Sequence, residues 1–207
     1  MQLKSIKRPE KLENAIKKFS LLLFFIISAI IVLYPLLKLN AIPYGWDQRF
    51  HLNRIEEIAI SLKSGHLFPT NGLHSFSNYG LAVNSFYPYL FLYPFAIVRL
   101  LLSPIHAYVL VLLGYVVLSQ IISYLCARRI PQIKHAALLF STLYNFSGYA
   151  LLQIEMRADL GEYFALIFLP IAFVGAYSLL IKDSNDWIWL PIGMSAIAYS
   201  HILSIWM

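Results

Sequence analysis

An all-α integral membrane protein is the fold class this sequence predicts, and three observations predict it. Hydrophobic residues make up 59% of the 207 and charged residues only 13%, about half the charged share of a soluble domain. The mean hydropathy is +0.67. Apolar runs long enough to cross a hydrocarbon core recur along the chain, and a basic segment stands before the first of them. The pattern predicts about five transmembrane helices plus interfacial helices in a long first outer loop, all in a single transmembrane domain.

The first span is read from Phe19 to Leu39, which carries no charge before Lys38. Lys4, Lys7, Arg8, Lys11, Lys17 and Lys18 precede it, so the net charge of +6 is a positive-inside signal rather than a footprint for nucleic acid. The run is longer than the apolar region of a secretory signal and no small-residue cleavage site follows. It is therefore an uncleaved signal anchor, with residues 1–18 cytoplasmic and residue 40 onward outside.

Residues 40–106 form the outer loop. From Asp47 to Ser64 the period is helical: Leu52, Ile55, Ala59 and Leu62 make one apolar stripe, while Arg49, Asn53, Glu56 and Lys63 point elsewhere. This predicts a helix lying on the membrane. Gly65 to Asn84, with Pro69, Gly72 and Gly80, reads as a loop, and Phe68, Phe76 and Tyr79 argue for its order. Ser85 to Ser103 is apolar but interrupted by Pro88 and Pro94, with Arg99 near its end. If it spans, the basic loop Arg128-Arg129-Ile130-Pro131-Gln132-Ile133-Lys134 falls outside; if it re-enters the outer leaflet, that loop falls inside, which is the preferred reading.

Residues 107–207 then form a helical bundle. Ala107–Ala127 descends, Ala136–Leu152 ascends, Leu160–Ile181 descends, Lys182–Asp186 turns in the cytoplasm and Trp187–Met207 ascends. The segment Gln153 to Asp159 thereby emerges on the same outer face as Asp47. The sequence stops at Ile205-Trp206-Met207 inside an apolar run, which predicts the N-terminal part of a longer chain. The lone cysteine, Cys126, excludes a disulfide framework and a cysteine metal site.

Two clusters could carry chemistry. On a helix Asp47, His51 and Arg54 fall within about 60° of one another. A carboxylate there binds a divalent cation or accepts a proton, and His and Arg hold phosphate oxygens. Equally, Asp47 makes a good N-cap after Pro43-Tyr44-Gly45, and Arg54 reaches lipid headgroups. Glu155, Arg157, Asp159 and Glu162 crowd beside two apolar spans, where ionisable groups raise a functional hypothesis. Asp159 also suits a helix N-cap with Glu162 at N3, a variant capping box, and Glu155 suits a pair with Arg157.

His201, flanked by Tyr199, Ser200 and Ser204, reads as a packing histidine or a substrate contact. His66 and His74 match no zinc spacing, and the glycosylation sequon at Asn145-Phe146-Ser147 sits in an apolar helix. No GxSxG, phosphate loop or dinucleotide fingerprint is present.

Asp47-Gln48-Arg49-Phe50-His51-Leu52-Asn53-Arg54-Ile55, Asn84-Ser85-Phe86-Tyr87-Pro88, Ala127-Arg128-Arg129 and Arg157-Ala158-Asp159-Leu160-Gly161-Glu162, in this order behind a basic start and one span, resemble the C-type glycosyltransferase (GT-C) superfamily. More narrowly they resemble large bacterial membrane proteins labelled as related to 6-pyruvoyl-tetrahydropterin synthase, a label for a domain rather than an activity. The resemblance covers most of residues 19–181. It implies a multi-pass protein of the cytoplasmic membrane that uses a polyprenyl-phosphate-linked sugar donor at the outer face. Asp47 matches the acidic residue of the first outer loop, as general base or metal ligand, and Asp159 a second acidic position. Arg54 and Arg157 would then stabilise the departing phosphate, with Glu155 assisting, His51 and His201 in substrate contact, and Trp46, Tyr79 and Tyr87 stacking on sugars.

The implied cofactor is a divalent cation, magnesium or manganese, but Trp46 and Gln48 flank Asp47 where the family places an acidic pair, which leaves metal dependence open. The implied partners are membrane lipid and the lipid-linked donor, with no nucleic acid. The alternatives are a transporter or flippase for a lipid or cell-envelope precursor, using the Pro-broken segment from Phe86 to Ser103 as part of a pathway, and a non-catalytic membrane scaffold.

Overall fold

The computed structural model describes residues 10–42, 44–74, 79–182 and 185–206. Lys4, Lys7, Arg8, Pro43, Phe76 and Met207 lie outside the described residues. The described chain is helical, without a strand; the one β-bridge, between Gly72 and Leu81, closes a loop. Three helices are long and apolar enough to cross a membrane: Glu10–Val32, Pro104–Arg129 and Leu160–Ile181. Membrane association is therefore a property of the fold.

Helix α1 (Glu10–Val32) begins earlier than the apolar run, because Glu10 and Glu13 suit its N-terminal dipole and Lys17 pairs with Glu13 at 2.8 Å. It breaks at Leu33 before α2 (Tyr34–Leu39), which has Pro35 in its first turn, and α2 ends on a left-handed Asn40. Helix α3 (Gln48–Lys63) falls within a residue of the expected bounds at each end. Its stripe turns toward protein: Ile55 and Ala59 are buried in the main core, with Leu52 and Leu62 packed at its edge.

The segment 85–103 is cut into short pieces: α4 (Val83–Phe86), a single 3₁₀ turn and α5 (Tyr93–Arg99). Its longest continuous apolar helix, Leu90–Arg99, has ten residues and reaches about 15 Å, half a hydrocarbon core. Pro88 and Pro94 supply the interruptions, and Pro94 begins α5 rather than kinking it. The piece instead packs against α3, where Phe95, Tyr115 and Phe164 build an aromatic core with ring centroids 5.6 and 4.6 Å apart along the series.

Helix α6 (Pro104–Arg129) has strong punctuation, with Ser103 accepting from the His106 amide, Pro104 in the first turn and two arginines in the last. The expected span Ala136–Leu152 is broken. Helix α7 (Ala137–Asn145) stops, Ser147 accepts from the Ala150 amide, and α8 (Gly148–Leu151) starts afresh and widens into a π turn, Leu152–Arg157. Helix α9 (Leu160–Tyr177) follows, and the last run yields α10 (Trp189–Ala198), ten residues instead of a span from 187 to 207.

Buried polar groups tie α1, α6 and α7 together. Ser28 of α1 donates to Gln120 of α6 at 2.5 Å, Ser141 of α7 donates to the Gln120 carbonyl at 2.8 Å, and Asn145 donates to Ser123 at 3.0 Å. The first of these joins two helices long enough to cross a membrane, where such a bond is worth about 0.6 kcal/mol. The sequon asparagine is thus a packing residue.

Helices α9 and α10 meet backbone to backbone. A Cβ at Gly193 would overlap the backbone of Ala172, and one at Gly175 the backbone of Leu190. Gly193→Val should therefore force the helices apart and cost about 1–3 kcal/mol, read as earlier thermal unfolding in detergent. Gly114→Val, at a glycine with open space around it, should leave that midpoint nearly unchanged.

Candidate functional site

The carboxylates from the two halves of the chain meet on one cation. The guanidinium of Arg157 donates through Nη1 to Glu162 at 2.6 Å and through Nη2 to Asp159 at 3.2 Å and Asp47 at 3.4 Å. Asp47 and Asp159, placed on the same side by charge counting, are thus neighbours close enough to share one substrate group.

Three local features hold this arrangement. The Asp47 amide donates to the Arg157 carbonyl at 3.1 Å, which lays the segment before α3 on the end of the π turn. Gly45 permits that approach, since a Cβ there would overlap the Arg157 carbonyl. Ala158 takes a left-handed φ of 53°, a conformation that strains an alanine. It reverses the chain between Arg157 and Asp159, so both face the cluster. Asp159 Oδ1 then accepts from the Glu162 amide at 3.1 Å and caps α9. The capping box is half realised, because the Glu162 carboxylate goes to Arg157 and to the hydroxyl of Tyr149 instead of returning to the cap.

Asp47 makes no side-chain cap on α3. Its side chain is 38% exposed, against 7% for Asp159 and 11% for Glu162, so Asp47 is the most accessible of the three carboxylates.

His51 is buried and its Nε2 lies 3.3 Å from Asp159 Oδ1. Burial lowers its pKa more than Asp159 raises it, so the ring is neutral at pH 7. An ionised carboxylate accepts only, which assigns the proton to Nε2. Nδ1 is buried without a hydrogen-bond partner. Burial raises the Asp159 pKa, but the His51 bond and the Glu162 amide outweigh it and bring the carboxyl down to about 2. Burial likewise opposes the Arg157 charge, and the carboxylates more than restore it.

Arg54, expected beside Asp47 and His51, is spent elsewhere. It donates to Asn84 at 2.9 Å and to the carbonyls of Tyr87 and Pro88 at 3.1 and 2.6 Å, with its guanidinium 4.7 Å from the Tyr87 ring centre. Burial brings its pKa down to about 10, so it stays charged. It is neither a lipid-headgroup contact nor part of the carboxylate cluster; it fastens α3 to the Asn84–Pro88 segment.

Tyr87 is delivered to the site by that clamp. Its hydroxyl and the His201 ring crowd Gly161, where a Cβ would lie 2.7 and 3.3 Å from them, and the two rings are 5.7 Å apart. His201 also bonds Ser204 at 2.8 Å. Glu155 is half-buried, and Arg157 pairs with Asp47, Asp159 and Glu162 rather than with it. Trp46 and Tyr79 are almost fully exposed. His74 lies apart, on Glu57. Sequence reasoning did not single out Tyr149 or Gly45, since a tyrosine in an apolar run and a glycine in a turn carry no signal of a distant partner.

No family model, no curated protein and no solved structure matches this chain. What the site can do rests on its own chemistry.

That chemistry does not fit a divalent cation at Asp47. Among the described residues no three His, Cys, Asp or Glu side chains are arranged to hold a metal ion. The carboxylates converge on a guanidinium that already occupies the position a metal would take. What the arrangement offers is a fork of donors shared by three acceptors, the geometry that also suits a phosphate.

Asp159 has a depressed pKa, so its stabilisation is complete above about pH 4 and vanishes as the pH falls through about 2. The stability difference between the native protein and Asp159→Asn should be about 2 kcal/mol at pH 7 and shrink toward zero by pH 2, measured by unfolding across pH. Arg157→Gln should cost about 2 kcal/mol at pH 7, because it strands three carboxylates together. The unfolding midpoint of the variant at that pH checks the figure.

Proposed function

We propose that the protein is a membrane glycosyltransferase of GT-C type that takes a sugar from a polyprenyl-phosphate-linked donor at the outer face of the cytoplasmic membrane. In this reading the N-terminus is cytoplasmic, and the broken helices α7–α8 and α10 complete a multi-pass bundle of about five crossings. The observation that carries the proposal is the convergence of Asp47 and Asp159 on Arg157. It joins an exposed carboxylate, a candidate base, to a cation able to take a phosphate.

The distances suggest how the two work together. Asp47 holds Arg157 most loosely of the three carboxylates, at 3.4 Å against 2.6 Å for Glu162. A donor phosphate competes best for that bond, and pairing with it frees Asp47. The freed carboxylate accepts the proton of an acceptor hydroxyl as its oxygen bonds to the anomeric carbon. The bond from that carbon to the phosphate oxygen breaks, and its electron pair leaves on the phosphate, where Arg157 meets the developing charge. Asp159, held by His51 and the α9 amide, stays ionised and keeps Arg157 in place.

Beside Tyr87 lies an apolar cavity of about 380 Å³ with Phe68, Phe86, Tyr89, Tyr93 and Tyr199 in its walls, suited to an isoprenoid chain. Tyr87 is the aromatic placed to stack on the sugar. Asp47, Arg157 and Asp159 lie outside the three long apolar helices, and Glu162 lies in the first turn of α9. That favours chemistry at one surface over carriage through the midplane, where transporters place their sites.

The test is transfer from labelled polyprenyl-phosphate sugars by the full-length protein in vesicles. Asp47→Asn should lower the rate by about 10²–10⁴-fold while leaving the unfolding midpoint close to native, since Asp47 is the exposed and loosest member. Undiminished transfer by Asp47→Asn would remove that residue from the mechanism.

A further inference from the structure

A second site lies at the other end of the molecule. Helix α6 begins at Pro104, which shares a cleft with Ile55 and Glu56 of α3. It runs for 26 residues to Arg129, a length of about 39 Å. There a groove of about 800 Å³ opens between α1, α6 and the turn leading into α7. Its walls are apolar: Leu21, Leu22 and Phe25 from α1 face Ile121, Tyr124 and Leu125 from α6.

The rim is basic, with Lys17, Lys18, Arg128 and Lys134 beside His135, and no carboxylate among the described residues lines it. Glu13 compensates Lys17 at 2.8 Å. The adjacent arginines divide their work. Arg129 pairs with Asp186 at 2.9 Å and covers the Trp189 ring, whereas Arg128 turns to the groove and stands 5.8 Å from the Tyr124 ring centre. Lys18, Arg128 and Lys134 are left facing an apolar cleft that continues down two helices able to cross a membrane.

We infer that this groove is a binding site for one anionic phospholipid, its phosphodiester held by Lys18, Arg128 and Lys134 and an acyl chain lying along Leu22, Phe25 and Tyr124. Charge complementarity selects the headgroup, because three cations in one rim attract an anion and not a zwitterion of zero net charge. The apolar walls select a lipid over free phosphate, which would use the rim and gain nothing from the cleft. The site is independent of the transfer reaction proposed above and sits at the opposite end from Asp47.

Lipid retention by the full chain in uncharged detergent, read by native mass spectrometry at low salt, tests the assignment. Phosphatidylglycerol should be retained in preference to phosphatidylcholine of the same acyl chains. Replacing Lys18, Arg128 and Lys134 together by Gln should weaken phosphatidylglycerol retention by on the order of a hundredfold. Leu22→Trp with Leu125→Trp fills the cleft and keeps every charge; it should lower retention at least about tenfold, which simple attraction to a basic surface would not do. Equal retention of the two lipids by the native chain overturns the proposal whatever the variants do. So does full retention by the filled variant, or displacement of the lipid by inorganic phosphate at matching concentration.

Discussion

The guanidinium of Arg157 is the constraint on which the carboxylate cluster of this protein depends. Three carboxylates from two distant parts of the chain cannot share a small volume while ionised unless a cation stands among them. Arg157 is that cation, and its planar fork distributes donors to Glu162 on one side and to Asp159 and Asp47 on the other. Removing it would leave like charges in contact, so the position of the segment before α3, the start of α9 and the exposure of Asp47 all follow from one side chain.

That side chain is itself placed by backbone irregularities. A π turn, a left-handed alanine and a glycine without room for a Cβ all fall within a few residues of Arg157 or against its carbonyl. Each is a departure from regular geometry that packing must hold in place, and such departures concentrate where a chain positions reactive groups. Two backbone bonds contribute to the holding, from the Asp47 amide to the Arg157 carbonyl and from the Asp159 amide to the Gln153 carbonyl.

The two ends of the molecule are built on opposite electrostatic plans. At the Asp47 end one guanidinium is shared by three carboxylates, so the cluster as a whole is anionic and one of its acids is exposed. At the other end basic side chains rim an apolar cleft that no carboxylate among the described residues lines. A guanidinium shared by several carboxylates suits exchange of its loosest partner, and a rim richer in cations than in acids suits capture of an anion from the bilayer.

Much of this was legible in the chain itself. The long apolar helices, the bounds of α3 and the cap at Asp159 all depend on local periodicity, turn chemistry or charge, and such signals lie within a few residues of what they specify. The sequence by itself therefore determined a membrane-associated helical protein with an acidic residue at the start of α3 and another at the start of α9. It did not determine that Ser147 would restart a helix in the middle of an apolar run, nor that α3 would bury its stripe in protein. Helical spacing also put Arg54 on the face of Asp47 and His51, whereas its partners are Asn84, Tyr87 and Pro88. Those outcomes turned on which distant surfaces were available to pack and which acceptors lay within reach of each guanidinium. Only the tertiary structure decided that Arg54 would serve the backbone and Arg157 the carboxylates, because a hydrogen bond is a matter of ångströms and sequence spacing carries no distance between segments a hundred residues apart.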